Sequence, residues 1–217
     1  MVEFDLLHRL DQKQIYIFDF DGVLVDSVDI KTKAFAELYK GYGNHIVDKV
    51  VRHHKDNGGM SRFDKFIYYH QNFLGVSLND GMLSKLSEEF SDLVVSKVIS
   101  SNEISGAINF VLQCKKRNKI CAINSATPES ELKKIIQLKG WNEYFQFICG
   151  SPVSKEVNIR NILIKSGVAQ KDAVFFGDAE NDYKAAKLSQ VDFIGINYLS
   201  TSKKDFICYD DFTSLVV

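Results

Sequence analysis

Short apolar runs punctuate the chain at residues 14–18, 119–123, 145–149, 173–176, 191–196 and 206–208. They are rich in Ile, Val and Phe and lack strict polar alternation, the pattern of strands covered on both faces. Between them the apolar positions shift to helical spacing. Ile104, Ile108, Val111 and Leu112 share one face, as do Leu132, Ile135 and Ile136, then Ile159, Ile162 and Leu163, then Ala185, Ala186 and Leu188. Thr127 is placed to cap the second of these helices, with Pro128 at its first helical position. Gly140 and Gly167 suit helix stops. From about residue 103 the chain therefore alternates helix and strand, which predicts an α/β fold with a doubly wound parallel sheet.

The strand at 14–18 is cut off from the others by a stretch with only helical patterns. Ile30, Ala34 and Leu38 form one stripe. Phe63, Phe66, Ile67, His70, Phe73 and Leu74 form another, with Ser61 as its N-cap. Leu83, Leu86, Phe90, Leu93 and Val94 form a third. The spacing predicts an α-helical domain over residues 27–100, inserted into a core made of 1–26 and 101–217.

A chain of 217 residues has room for one core plus such an insertion. Its 45% hydrophobic and 25% charged residues exclude bulk disorder. With 27 basic and 28 acidic residues the net charge is −1, so no global basic field exists to hold nucleic acid. No apolar run is long enough to cross a membrane, and the first nine residues lack the apolar core of a secretory leader. Cys114, Cys121, Cys149 and Cys208 form no C-x-x-C pair. They read as buried free thiols of a reducing, cytoplasmic compartment. The expected partner is a small metabolite, with no nucleic acid or membrane, for a monomer or homodimer.

Ligands of open α/β sheets bind at the carboxyl ends of the strands. The first strand runs into D-F-D-G-V-L-V-D-S, with Asp19 and Asp21 two apart and Gly22 free to turn the chain. Burying two acids together is costly unless a cation compensates. After the next strand comes Ser125, a hydroxyl beside a helix start that favours an anion. Lys155 precedes the following helix. Asp178 and Asp182 follow the fourth strand in G-D-A-E-N-D. Acids, hydroxyl and ammonium gathered in this way fit phosphoryl transfer. A carboxylate can attack a phosphate only if a cation relieves their repulsion. Magnesium takes such oxygen ligands, and Asp19, Asp178 and a backbone carbonyl could hold it. Asp19 could form an aspartyl phosphate, while Asp21 serves as acid and then base.

These four segments resemble the motifs of the haloacid dehalogenase superfamily, in its phosphoglycolate phosphatase and β-phosphoglucomutase-like branch. The resemblance covers residues 14–27 and about 103–195. It implies a Rossmann-like core with a helical C1 cap, Asp19 as nucleophile and Asp21 as acid/base. It also implies Ser125 and Lys155 as catalytic and phosphate-binding groups, and Mg2+ on Asp19, Asp178 and the Asp21 carbonyl, with Asp182 behind them. The second acid, Asp21, points to phosphate chemistry and away from dehalogenation. Within the insertion, residues 49–65 concentrate cations, and Arg62 and Lys65 are candidates to grip the remote end of the substrate. His53 and His54 read as surface residues. The expected activity is a magnesium-dependent phosphatase acting on a small sugar phosphate or phosphoglycolate-like acid. A β-phosphoglucomutase-like mutase, a phosphonate hydrolase using Lys49, Lys55 or Lys65, and a non-catalytic binder of phosphometabolites are the alternatives.

Overall fold

The computed structural model describes residues 10–198 and 206–215. The nine residues read for a leader thus lie outside the described residues. Six parallel strands form one sheet: β1 (Ile15–Phe18), β2 (Ile120–Pro128), β3 (Phe147–Ser151), β4 (Ala173–Gly177), β5 (Asp192–Ile196) and β6 (Ile207–Tyr209). Their order is β3-β2-β1-β4-β5-β6. The winding changes direction at β1, which pairs with β2 on one side and β4 on the other, Phe18 lying opposite both Ile123 and Phe176. A ligand crevice forms where the winding reverses.

Alternate side chains of β1 serve two cores, as the period of two requires. Tyr16 and Phe18 pack with Phe110, Phe176 and Phe212 on one face. Ile15 and Ile17 pack on the other with Ile159, Ile162, Ala185 and Ala186. The first face is covered by α5 (Ala107–Lys116) and α6 (Glu129–Leu138), the second by α7 (Lys155–Ser166) and α8 (Glu180–Ser189). Gly167 ends α7 in the left-handed conformation, as expected.

Between β1 and α5 lie four helices: α1 (Val28–Leu38), α2 (Asn44–Asp56), α3 (Arg62–Tyr69) and α4 (Asp80–Ser100). Phe35, Phe66, Tyr69 and Phe90 pack ring against ring at their centre. Ser61 caps α3 by accepting a hydrogen bond from the Asp64 amide, as its position predicts. The chain enters and leaves this helical insertion side by side: Asp26 N donates to Asn102 O at 3.0 Å and Ile104 N to Leu24 O at 3.1 Å.

Two expectations are corrected. Helix α6 starts at Glu129, because β2 runs on through Pro128, so Thr127 does not cap it. Cys114 and Cys121 are buried, but Cys149 and Cys208 are only half-buried because β3 and β6 are the edges of the sheet. Among the described residues no helix is long and apolar enough to cross a membrane.

Candidate active site

The strand ends at the winding reversal open into a cavity of about 660 Å³, lined on the core side by Asp19, Asp21, Ala126 and Asp178 and on the insertion side by Lys31, His54, Gly59 and Lys65. Asp19 and Asp21 reach it because the chain leaves β1 and turns at Gly22, whose φ is +80°. A Cβ on Gly22 would lie 2.3 Å from Asp178 Oδ2, so only glycine lets these two segments approach.

Asp19 is buried. Its Oδ1 accepts from the Phe20 amide at 2.7 Å and its Oδ2 lies 2.9 Å from Lys155 Nζ. Burial, and the charges of Asp182 and Asp21, outweigh Lys155 and push the Asp19 carboxyl up to about 7. Asp178 is pushed well above the usual carboxylate range by burial, then by Asp182 and Asp19. Asp182 is fully buried and committed at both oxygens, Oδ1 to Lys155 and Oδ2 to the Ala179 amide at 3.1 Å. It therefore braces the ammonium and the start of α8. Burial alone would lower the Lys155 ammonium, but Asp182 and Asp19 hold it above its ordinary value.

Oxygens of Asp19, Asp178 and Asp182 come within 4.8 Å of one another. With both Asp182 oxygens engaged, Asp19 and Asp178 are the side chains that could hold a cation. This hard-oxygen donor set, whose carboxylates burial and mutual repulsion make costly to ionise without a further counter-charge, fits a magnesium ion.

Asp21 has a different environment. Ser27 Oγ donates to its Oδ1 at 2.6 Å; Thr127 Oγ1 at 3.0 Å and Lys31 Nζ at 2.5 Å reach its Oδ2. Lys31 also donates to Thr127 Oγ1 at 2.8 Å. Burial would raise the Asp21 carboxyl, but Lys31 and the two hydroxyls bring it below the usual range. Thr127, read from the sequence as an N-cap, thus serves Asp21 instead. Lys31 was not foreseen. Its one sequence signal is the i, i+4 spacing from Ser27, which puts both groups on the same face of a helix starting there.

Ser125 is buried, and its Oγ accepts from the Thr127 amide at 3.1 Å. It lines a smaller adjoining pocket of about 310 Å³ together with Lys155, Ser151 and Gly59. Gly59 and Met60 border both spaces. Their loop rests on α8: Asn181 Nδ2 donates to Gly58 O at 2.8 Å.

The structure separates the two insertion residues expected to meet the substrate. Lys65 lines the cavity, buried, with its Nζ 2.9 Å from His54 Nδ1. Burial, then Lys31, lowers its ammonium to about 7. Arg62 does not line the cavity. It is buried against Glu131 of the core, Nη1–Oε2 2.9 Å and Nη2–Oε1 2.5 Å, with Ser91 Oγ at 2.8 Å. A guanidinium so fully engaged is a strut, not a substrate grip. His54 is buried rather than exposed, packed 4.7 Å from the Phe35 ring, and burial and Lys65 hold its imidazole neutral.

Residues 16–196 match the family model of haloacid dehalogenase-like hydrolases. The chain belongs to that family. Among relatives of this hydrolase, a phosphoglycolate phosphatase of Psychrobacter arcticus is 23% identical over 94% of each chain. One of Colwellia psychrerythraea is 21% identical over 96% of this chain and 98% of its own. The fold matches that of CbbY from Rhodobacter sphaeroides, solved with xylulose-(1,5)bisphosphate, at a TM-score of 0.74 and 16% identity, over 94% of this chain and 96% of that one. It also matches a haloacid dehalogenase-like family hydrolase of Streptococcus pneumoniae at a TM-score of 0.65 and 18% identity, over 91% and 94%. Family and relatives together make the protein an enzyme, a phosphatase in reaction class.

Proposed function

We propose that the enzyme is a magnesium-dependent phosphatase that hydrolyses a small phosphomonoester through an aspartyl phosphate on Asp19. The observation that carries this reading is the convergence of Asp19, Asp21 and Asp178 on one cavity, with Lys155 bonded to Asp19. A phosphoglycolate-like acid is the favoured substrate, in keeping with the relatives.

Asp19 Oδ2 attacks phosphorus as the ester P–O bond breaks; Asp21, which Lys31 keeps ionised in the free enzyme, takes a proton from solvent as the substrate binds and delivers it to the departing alcohol oxygen. Asp21, now a carboxylate, takes a proton from a water that attacks the aspartyl phosphate. Inorganic phosphate leaves and Asp19 is restored. Lys155 and the Ser125 hydroxyl supply donors to the phosphoryl oxygens, and Asp182 keeps Lys155 in place. Magnesium held by Asp19, Asp178 and the Asp21 carbonyl would neutralise charge on the phosphate. The helical insertion acts as a cap that closes water out through the Gly58–Gly59 loop.

The test is phosphate release from a panel of phosphorylated metabolites, with magnesium and with EDTA, for the parent and Asp19→Asn. Magnesium-dependent release by the parent and a fall of about 1,000-fold or more in the variant is expected. Release unaffected by EDTA, or retained by Asp19→Asn, overturns the reading.

A further inference from the structure

Lys31 is the charged side chain that, beside the Ser27 hydroxyl, ties the insertion directly to Asp21. It starts on α1, crosses to the core and sits between Asp21 Oδ2 and Thr127 Oγ1 at 2.5 and 2.8 Å. Its side chain is only 15% exposed, and the face that it shows opens into the cavity. Lys65 enters the same cavity from α3. Among the described residues it makes no ion pair, and its bonded partner is the imidazole of His54. The core lysine, Lys155, is by contrast spent on Asp19 and Asp182. The insertion thus presents two ammonium groups to the cavity, one borrowing a carboxylate from the catalytic machinery and one with none.

We infer that Lys31, seconded by Lys65, is the specificity-determining residue of the enzyme, exchanging Asp21 for a carboxylate carried by the substrate on the carbon next to the ester oxygen. This rests on the proposed phosphatase reading, in which Asp21 faces the ester oxygen. Lys31 already touches Asp21, so an anion that takes it over lies within a few bonds of that oxygen. A second phosphate at the far end of a sugar chain would be too remote. A neutral substituent at the same carbon cannot replace the charge that Lys31 gives up, so a neutral ester leaves Lys31 on Asp21. A carboxylate gives Lys31 an equivalent partner and gives Lys65 its missing one. The substrate class is therefore a phosphorylated 2-hydroxy acid, and phosphate esters of neutral alcohols are poor substrates.

The experiment compares kcat/KM for 2-phosphoglycolate and for ethyl phosphate, the same ester with a methyl in place of the carboxylate, in the parent, Lys31→Met, Lys31→Arg and Lys65→Met. Circular dichroism and thermal midpoints check folding. The parent should prefer the acid, and Lys31→Met should cut the preference by about 30-fold or more, the worth of a charge-assisted contact. Lys65→Met should cut it less, and Lys31→Arg should keep part of it. If Lys31→Met does not fold, Lys31→Arg and Lys65→Met decide. An unchanged preference in the folded variants, or a parent that hydrolyses both esters equally, overturns the inference and leaves the phosphatase reading standing. A parent that releases phosphate from neither ester nor from any member of the metabolite panel overturns the phosphatase reading itself.

Discussion

Arg62 of α3 and Glu131 of α6 close on each other in a two-point fork, with side chains 4% and 10% exposed. The pair joins the helical insertion to the core on the side of α4. Removing one partner strands the other charge in a dry place. Glu131→Ala should therefore lower stability to urea by about 3 kcal/mol. The double variant Arg62→Met/Glu131→Leu should recover most of that loss, since an apolar pair needs no counterion. Urea midpoints of the single and double variants check this, and equal losses in both would contradict it.

Gly22 is a second pressure point. An added methyl would meet Asp178 Oδ2 at 2.3 Å, at a φ of +80° that L residues rarely adopt. Gly22→Ala must displace either the turn or the Asp178 carboxylate. The magnesium concentration for half-maximal phosphate release should rise about tenfold or more, the scale of effect seen when a metal ligand loses its support.

Lys155 is the counter-charge for Asp19 and Asp182. In Lys155→Met the burial and repulsion that already raise Asp19 to about 7 act unopposed. A carboxyl raised in the folded state costs stability as pH climbs from the unfolded value of 3.8 through the folded one. In metal-free buffer the variant should lose ground to the parent from pH 7 to pH 9, where Asp19 of the parent has ionised and that of the variant still resists, and millimolar magnesium should narrow the gap. Thermal midpoints across that range, with and without magnesium, give the answer.

Lys65 titrates in the opposite sense. Burial, then Lys31, brings its ammonium from 10.5 to about 7. Between those values the unfolded chain binds the extra proton, so the parent gains stability as pH rises through that window. Below pH 7 the full cost of a buried ammonium is present. Lys65→Met should therefore gain most over the parent near pH 6, and the advantage should shrink towards pH 10, by at most ~1.4 kcal/mol per pH unit. A constant difference in thermal midpoint across that range would show that Lys65 titrates as an exposed lysine does.

What could be read in advance followed from local rules. The apolar runs end in polar segments at Asp19 and Asp178, and the rule that ligands sit at strand ends was enough to gather these acids. The insertion was visible because helical spacing replaced strand-like runs for a long stretch. What escaped depends on tertiary partners. Lys31 and Thr127 lie 96 residues apart and look, in sequence, like a solvated lysine and a helix cap. Arg62 looks like a free cation until Glu131, 69 residues on, is brought beside it. His54 sits among charged neighbours in the chain yet turns inward against Phe35. Pro128 suggested a helix start, but pairing with Ser151 on β3 keeps it in the strand.

The paired entry and exit of the insertion, with Val25 bridged to Glu103 and Asp26 bonded to Asn102, act as a narrow neck. Cutting and rejoining the chain at this neck would leave β1, β2 and β4 in register. The neck is therefore a natural seam for exchange. A different helical module grafted between Asp26 and Asn102 would bring its own counterparts of Ser27, Lys31 and Lys65 to the acids at the strand ends. Such an exchange would alter the residues facing the cavity while β1 and β4 keep Asp19 and Asp178 where they are.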